Sequence, residues 1–524
     1  MPATRLTLIA NASQTNRCPL LLPSSDSDIL TAVFTTSKAK LRIKKPARVF
    51  LRGGHELFTS DDIQQYLKDD LVLLISAGEA YVGNTKAPPS TTCTVHTITS
   101  QLALDPVSLS QLAECAKLPG IISAVGLPDL HPGTRFPIGC TFVSDGYIHP
   151  PLIGGDIGCG MSWYRTTLKA DKLWDAAGVK KVAGNLVGLE GEWLGPAERE
   201  AWLSCGTTDG KSLSVGADWD RYLGTIGSGN HFAELQVVED ILPYTYNDGT
   251  GQVYTPPFAP DEVILLVHSG SRGYGQHVLS QFYNSSSTEA DISIPATDPK
   301  ALSYLTLHDA ACAWAQRSRD LIALRFLCCL ESSLWDSPEA NIPAYHAAIQ
   351  ERKAMDIHHN NVTLTPWPPA APDTTKAIYI HRKGAAPSTP STPFLPLPGS
   401  RGTPTLILRP LFSEATGHGA QNALSLAHGA GRVMSRSKAR VGIARKYNGD
   451  TEVMTNMKPF SRSGKGRVVE GAGWVVCDDK ELVWEEAPEA YKDVEVVGEE
   501  MVRCGVAAVV GRVVPRVTYK VRRE

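Results

Sequence analysis

The chain has 11 cysteines but no Cys-x-x-Cys pair, no run of about 20 apolar residues, no internal repeat and almost no net charge. An odd, unpatterned set of thiols is not a disulfide framework. It fits a reducing compartment, where single thiols pack or bind metal. Without a long apolar run no bilayer-spanning helix is expected. The first residues hold two short apolar runs broken by Asn11, Ser13, Gln14 and Asn16. A signal peptide is therefore not expected, and the cytoplasm or nucleus is the expected compartment. A formal charge of −3 argues against a surface that coats nucleic acid throughout, and leaves room for a local basic site.

What is present is 524 residues, 42% hydrophobic and 20% charged, which excludes disordered and collagen-like classes. At ~150 residues per domain, this allows two to four domains or one catalytic body with an appendage. Residues 1–88 read as a small module. Residues 41–52 partly alternate, Gly53-Gly54 is a hairpin-type turn, Ser60-Asp61-Asp62 starts a helix with Ile63, Tyr66 and Leu67 on one face, and 71–75 is a strand. This order resembles a ubiquitin-like or doublecortin-type β-grasp. Residues 85–92, TKAPPSTT, read as a linker. Residues 89–524 read as an α+β body, a mixed sheet with helices. Strands are expected at 263–267 and 377–380, a helix at 301–330, and Pro-rich loops at 367–372 and 385–398. Charge is segregated: residues 432–467 hold ten basic and two acidic residues, and 470–500 hold eleven acidic and two basic. Each run reads first as a solvated face, and the basic run is set apart by where it starts, at Arg432.

Several short motifs place metal-ligand or phosphate-binding residue types among turn formers, where backbone N–H groups can approach an anion. Gly155-Asp156-Ile157-Gly158-Cys159-Gly160 offers a carboxylate and a thiolate, a hard and soft pair suited to a transition metal. Gly227-Ser228-Gly229-Asn230-His231-Phe232, His268-Ser269-Gly270-Ser271-Arg272-Gly273 and His358-His359-Asn360-Asn361 add imidazoles. Together they supply enough ligands for two adjacent divalent ions that clamp phosphoryl groups. His428-Gly429-Ala430-Gly431-Arg432 sets a histidine in a glycine turn with an arginine behind it, as a nucleophile on phosphorus would need. His418 lies in a partial echo of that motif and reads as a decoy.

These motifs, with Pro128-Asp129-Leu130-His131-Pro132-Gly133, HRKGA at 381–385, PGSRG at 398–402 and EAPEAYKD at 486–493, resemble in this order the RtcB-type RNA ligases over residues 93–524. The resemblance implies an RtcB-like fold. It also implies a ligase that joins RNA ends bearing a 2′,3′-cyclic phosphate or 3′-phosphate to 5′-hydroxyl ends, in tRNA splicing or RNA repair. GTP and two Mn2+ ions are the implied cofactors, and an archease-like activator is an implied partner. His428 then matches the guanylylated histidine, with Asp129 and Arg432 beside it as catalytic residues. Asp156, Cys159, His231, His268 and His359 match the metal ligands. Asn230, Glu234, Asn360, Ser400, Gly429, Ala430, Gly431, Arg432 and Lys520 fall where the family grips the guanylate. Arg272, Lys383, Arg432 and the basic run are candidates for holding RNA phosphates, and a metal-free Cys159 thiolate would be exposed and open to oxidation. Two alternatives remain open: a metal-dependent cyclic-phosphate or phosphoester hydrolase, and a catalytically reduced RNA-binding scaffold. The first ~90 residues exceed the shorter bacterial members.

Overall fold

Alternating apolar residues, Leu6 and Leu8 on one strand and Leu71, Leu73 and Ile75 on another, point to one face of an N-terminal sheet and form its core. The computed structural model describes residues 4–23, 28–52, 54–67, 70–82, 93–207, 210–246, 251–284, 287, 292–331, 341–369, 376–457 and 473–522. Gly53 and the linker expected at 85–92 lie outside them. The chain divides into two compact units, Met1–Cys93 with Lys117–Ile122, and Thr94–Ala116 with Ser123–Glu524.

In the first unit five strands lie in the order Arg17–Leu22, Thr4–Ala10, Leu71–Ser76, Arg48–Leu51, Glu56–Leu57. Thr4–Ala10 and Leu71–Ser76 are parallel, and the other neighbours antiparallel. The helix Ile29–Lys40 starts at Asp28, whose side chain accepts from the Thr31 N–H, and buries Ile29 and Val33. Ser60–Gln65 starts with a capping box between Thr59 and Asp62 and buries Ile63. The sequence pattern shows the last hairpin, short helix and strand. It missed the first hairpin and the longer helix, and it ran the strand at 41–52 too long, because Leu41 caps that helix instead.

The second unit holds two large sheets. The nine-stranded sheet runs Lys353–His358, Gly160–Lys169, Glu262–Ser269, Phe232–Ile241, Ala507–Tyr519, Thr405–Pro410, Leu395–Pro398, with Gly473–Val476 beside Ala507–Tyr519 and Asn456–Met457 beyond it. The five-stranded sheet runs Asn360–Trp367, Lys376–Lys383, Ile138–Ser144, Ile121–His131, Thr94–Thr97. Residues 263–267 are a continuous apolar run because Glu262–Ser269 is buried on both faces. One cover is the 32-residue helix Pro299–Leu330, begun by Asp298 and Pro299. Its Trp314, Leu321 and Leu324 share one core with Leu265 and Val267.

Two expectations need correcting. The Pro-rich segment 385–398 is not a loop throughout. It supplies the strands Ala385–Pro387 and Leu395–Pro398, with Phe394, Leu395 and Leu397 buried, because its prolines sit where apolar side chains still find a core. The segment 367–372 begins inside the strand Asn360–Trp367, and residues 370–375 lie outside the described set. The charge runs are not separate faces either. Arg432 and Arg436 pair with Glu486 at 3.0 and 3.6 Å, Arg440 with Glu481 at 2.9 Å and Lys446 with Glu489 at 3.4 Å. Among the described residues the two runs meet in these ion pairs, where the helices Arg436–Lys446 and Lys480–Glu485 share a core through Ala439, Ile443, Val483 and Trp484.

The long helix also carries a charge into the interior. Arg319 is fully buried and donates to both Asp356 carboxylate oxygens at 2.7 and 3.0 Å, to the carbonyls of Gly158 and Ser269 at 2.9 and 3.0 Å, and to Ser162 at 3.0 Å. Arg319→Met leaves the Asp356 carboxylate buried without its partner and should cost about 3–5 kcal/mol in chemical unfolding. An unchanged unfolding midpoint would show that the pair is not the tie described here.

Candidate active site

Strand register brings the ligand-type residues together. Gly160 lies opposite both Ser269 and His358, and Phe232 lies opposite His268. Cys159, His268, His231 and His359 therefore sit at the aligned ends of four neighbouring strands. His359 is the single residue between Lys353–His358 of one sheet and Asn360–Trp367 of the other. Its N–H donates to the Cys159 carbonyl at 2.8 Å.

The donor atoms converge on the Cys159 thiol. His231 Nε2 is 3.2 Å and His268 Nε2 3.3 Å from Sγ. His231 Nε2 is also 3.1 Å from Asp156 Oδ2, and His359 Nε2 is 2.9 Å from His268 Nε2. Two three-residue groups result, Cys159 with His268 and His359, and Asp156 with Cys159 and His231. Cys159 belongs to both. His231 Nδ1 faces the Ile226 carbonyl at 3.1 Å, which places a proton there and turns Nε2 toward the thiol and the Asp156 carboxylate. Burial holds His268 and His359 well below the usual imidazole range, so they are neutral and have lone pairs to give. Burial pushes Asp156 up, but the charge and hydrogen bond of His231 outweigh it and hold the carboxyl well below its usual range. These lone pairs, crowded around a thiol with one anionic carboxylate, fit divalent cations of intermediate softness.

Cys159 itself is 1% exposed. Burial first, then the Asp156 charge, pushes its thiol well above the usual value. The expectation of an exposed, oxidisable metal-free thiolate is therefore wrong: without a cation this sulfur is a buried thiol.

His428 follows the short strand Ser425–Ala427, which pairs with Ala385–Pro387. Its Nδ1 lies 2.7 Å from Asp129 Oδ2, and its backbone N–H donates to the same oxygen at 3.3 Å. Asp129 is fully buried on Ile121–His131. With Nδ1 engaged, Nε2 is the nitrogen left for chemistry. The His428 ring lies 4.6 Å from that of His359, centroid to centroid. Two glycines make room. Gly384 has φ +61°, and a Cβ there would meet His428 Cε1 at 2.8 Å; Gly431 has φ +73° and would drive a Cβ into the Asp129 backbone. Lys492 Nζ fixes the Asp129 segment from outside through the carbonyls of Pro128 and Leu130, at 2.7 and 2.8 Å.

A cavity of about 960 Å³ opens over this centre. Asp156, Cys159, His268, His359 and His428 line it, as do Asn230, Glu234, Asn360, Ser400, Gly429, Ala430, Gly431, Arg432 and Lys520. Burial pushes Glu234 up to about 7, against hydrogen bonds from Thr518 and Gln236, and pushes Lys520 down to about 8. Lys520 Nζ donates to the His231 carbonyl at 3.1 Å.

A family model described as tRNA-splicing ligase RtcB matches residues 111–189 and 192–521. The chain belongs to the RtcB family. RNA-splicing ligase RtcB2 of Escherichia coli is 34% identical over 427 residues, covering 81% of this chain and 95% of that protein. The tRNA-splicing ligase RtcB of Thermococcus kodakarensis is 27% identical over 473 residues, 78% of this chain and 90% of its own. RNA-splicing ligase RtcB homolog 1 of Entamoeba dispar is 27% identical over 541 residues, 92% of this chain and 89% of its own.

Within this RtcB chain several expected residues are already engaged by protein. Arg432 donates to Glu486 and Tyr491, both at 3.0 Å, and to the Glu485 carbonyl at 2.7 Å. Ser400 donates to the Glu486 carbonyl at 2.8 Å. Asn360 donates to the Asp156 carbonyl at 3.1 Å and accepts from the Gly384 N–H at 2.7 Å. Lys383 donates to the Ile153 carbonyl at 2.9 Å, and Arg272 to Thr225 at 3.2 Å away from the cavity lining. His418 is exposed and outside both ligand groups. Sequence reading missed Arg319, Glu486 and Lys492. Lys492 and Glu486 lay in the EAPEAYKD motif without a role, and Arg319 had no signal beyond its place on a helix.

Two tests follow from the geometry. Cobalt(II) added to the protein should give a thiolate-to-metal charge-transfer band that Cys159→Ser abolishes. A band that survives the substitution would remove Cys159 from the ligand set. Glu234 gives a pH signature. Between its unfolded value of about 4.5 and its folded value of about 7, the unfolded chain releases the proton while the folded chain keeps it. Its contribution is intact below pH 4.5, and about 3 kcal/mol is lost as pH rises through 7. Glu234→Gln should remove that loss, so wild type falls relative to the variant across this window in unfolding titrations. Parallel stability curves would contradict the buried neutral carboxyl.

Proposed function

We propose that this chain is an RNA ligase that uses GTP and manganese to join 2′,3′-cyclic phosphate or 3′-phosphate ends to 5′-hydroxyl ends. The observation that carries the reading is the Asp129–His428 pair beside the five-ligand cluster, at 2.7 Å. Asp129 holds the proton on Nδ1, so the Nε2 lone pair of neutral His428 attacks the α-phosphorus of GTP. An N–P bond forms, the bond to the β-phosphate oxygen breaks and pyrophosphate leaves. The ring becomes cationic, and the buried Asp129 carboxylate stabilises it through a charge-assisted hydrogen bond. Manganese held by Asp156, Cys159, His231, His268 and His359 would supply charge neutralisation on the phosphoryl oxygens. An RNA 3′-phosphate oxygen then takes the guanylate from His428, after water has opened any cyclic phosphate. The RNA 5′-hydroxyl attacks the activated phosphate, and GMP leaves.

Asn230, Glu234, Asn360, Ser400, the 429–432 turn and Lys520 hold the guanylate in this reading, and their place on the cavity wall supports it. Arg432 orients the turn through Glu486 and Tyr491. The domain division into 1–88 and 89–524 belongs to the same proposal, with the first part a ubiquitin-like β-grasp. Its strand order, with a parallel central pair and a helix after the first hairpin, supports that assignment. Residues 1–110 lie outside the family match.

Incubation with α-labelled GTP and manganese should leave an acid-labile label on the protein. His428→Ala should abolish it, and Asp129→Asn should lower its rate by roughly 100-fold or more, since the tautomer and the cation's partner are both lost. No label under any divalent metal would sink the ligase reading and favour a phosphoester hydrolase.

A further inference from the structure

In the body of the chain four residues of the basic run, Arg432, Arg436, Arg440 and Lys446, pair with the acidic one, and residues 458–467 lie outside the described set. The N-terminal unit is arranged differently. Residues 38–52 carry seven Lys and Arg and no Asp or Glu. Residues 1–93 hold eleven basic and eight acidic residues in a chain whose total is −3.

Packing decides which of these cations face outward. Leu41 caps the helix Ile29–Lys40 with its N–H on the Ser37 carbonyl, and the Ile43 N–H reaches the same oxygen. Leu41 and Ile43 turn into the apolar core of the unit. Lys38 and Lys40 at the end of the helix, and Arg42, Lys44 and Lys45 just after it, are thereby all exposed within eight residues. Lys38 and Lys40 offset the helix C-terminal dipole, which accounts for two of the five. The other three have no such role. The described acids of this unit are engaged elsewhere: Glu56 with Arg48, Asp70 with Arg5, Asp28 and Asp62 as helix caps, and Glu79 on the Ala77 N–H. Asp61 stays exposed in the first turn of the short helix Ser60–Gln65.

We propose that the turn at residues 38–45 is a binding surface for the phosphate backbone of the RNA substrate, outside the catalytic cavity. The occupant is named on the RNA-ligase reading above; the cations themselves require only a polyanion. Five exposed cations, two in the last turn of the helix and three on the segment after it, fit sequence-independent backbone contact. Such a surface holds the RNA by charge and leaves the choice of ends to the cavity.

The test uses the full chain with Lys38→Gln, Lys40→Gln, Arg42→Asn, Lys44→Gln and Lys45→Gln together. Asn replaces Arg42 because its φ of +59° is left-handed, a region Asn tolerates. Fluorescence anisotropy with a single-stranded RNA of about 25 nucleotides, bearing a 3′-phosphate and a 5′-hydroxyl, is followed from about 50 to about 300 mM salt. The slope of log affinity against log salt should shrink by about three, and affinity at low salt should fall at least tenfold. A companion variant with all four lysines changed to Arg should keep both. Labelling of His428 by GTP should be unchanged in each. RNA affinity and slope equal to wild type would overturn the proposal. So would loss of binding to phosphatidylserine vesicles in place of RNA, which would make the turn a membrane contact. The predicted loss of RNA binding, in a chain that takes no GTP label at all, would leave this surface standing and remove the ligase reading instead.

Discussion

The active centre depends on one buried guanidinium. Arg319 sits on the long helix, away from solvent, and must spend its donors on protein. Its contacts fall beside the ligands. Gly158 precedes Cys159, Ser269 follows His268, and the chain from Asp356 leads through His358 to His359. A charge in this interior is tolerated only while its partners stay in place. Three strand ends are thus held in one register by a group that itself touches no ligand atom. Apolar packing alone would not fix them as tightly, because it is not directional.

The centre also lies where the two sheets of the catalytic unit meet. His359 is the residue at which the chain leaves one sheet and enters the other, while Asp129 belongs to the five-stranded sheet. His428 comes from neither: it follows Ser425–Ala427, which pairs with Ala385–Pro387 in a small two-stranded sheet, and it meets Asp129 of the five-stranded sheet there. The glycines at 384 and 431 allow the close approach, since a side chain at either would displace His428 or the Asp129 backbone. Burial keeps His268 and His359 neutral and the Cys159 thiol protonated until a cation arrives, so metal binding releases the thiol proton.

Net charge is a poor guide to where this molecule meets anions. The basic and acidic runs near the C-terminal end looked like two opposed surfaces, yet they close on each other across Glu481, Glu486 and Glu489. That closure positions the 429–432 turn, because Arg432 and Arg436 share the Glu486 carboxylate. Glu486 is thus a structural counter-charge on the wall of the cavity. Among the described residues, exposed positive charge also gathers in the N-terminal unit at residues 38–45, where the sequence pattern alone suggested only a small module.

Much of the centre was legible in the sequence. Asp156, Cys159, His231, His268, His359 and His428 each stand in a short motif of turn formers, and the order of the motifs names the family. Glycines and histidines at fixed spacing are local features, set by what the backbone must do within a few residues. The run at 263–267 and the helix at 301–330 were legible for the same reason. Arg319 was not, because periodicity on a helix stretch buried all round, residues 318–327, does not say which charge finds a carboxylate. The Pro-rich segment became buried strands, and the two charge runs became ion pairs, for a related reason. Burial and pairing are properties of residues distant in sequence, and only the tertiary structure decides which of them meet. By itself the sequence determined the chemistry this chain carries; the register of four strands and the crossing between two sheets decided that it carries it at one point.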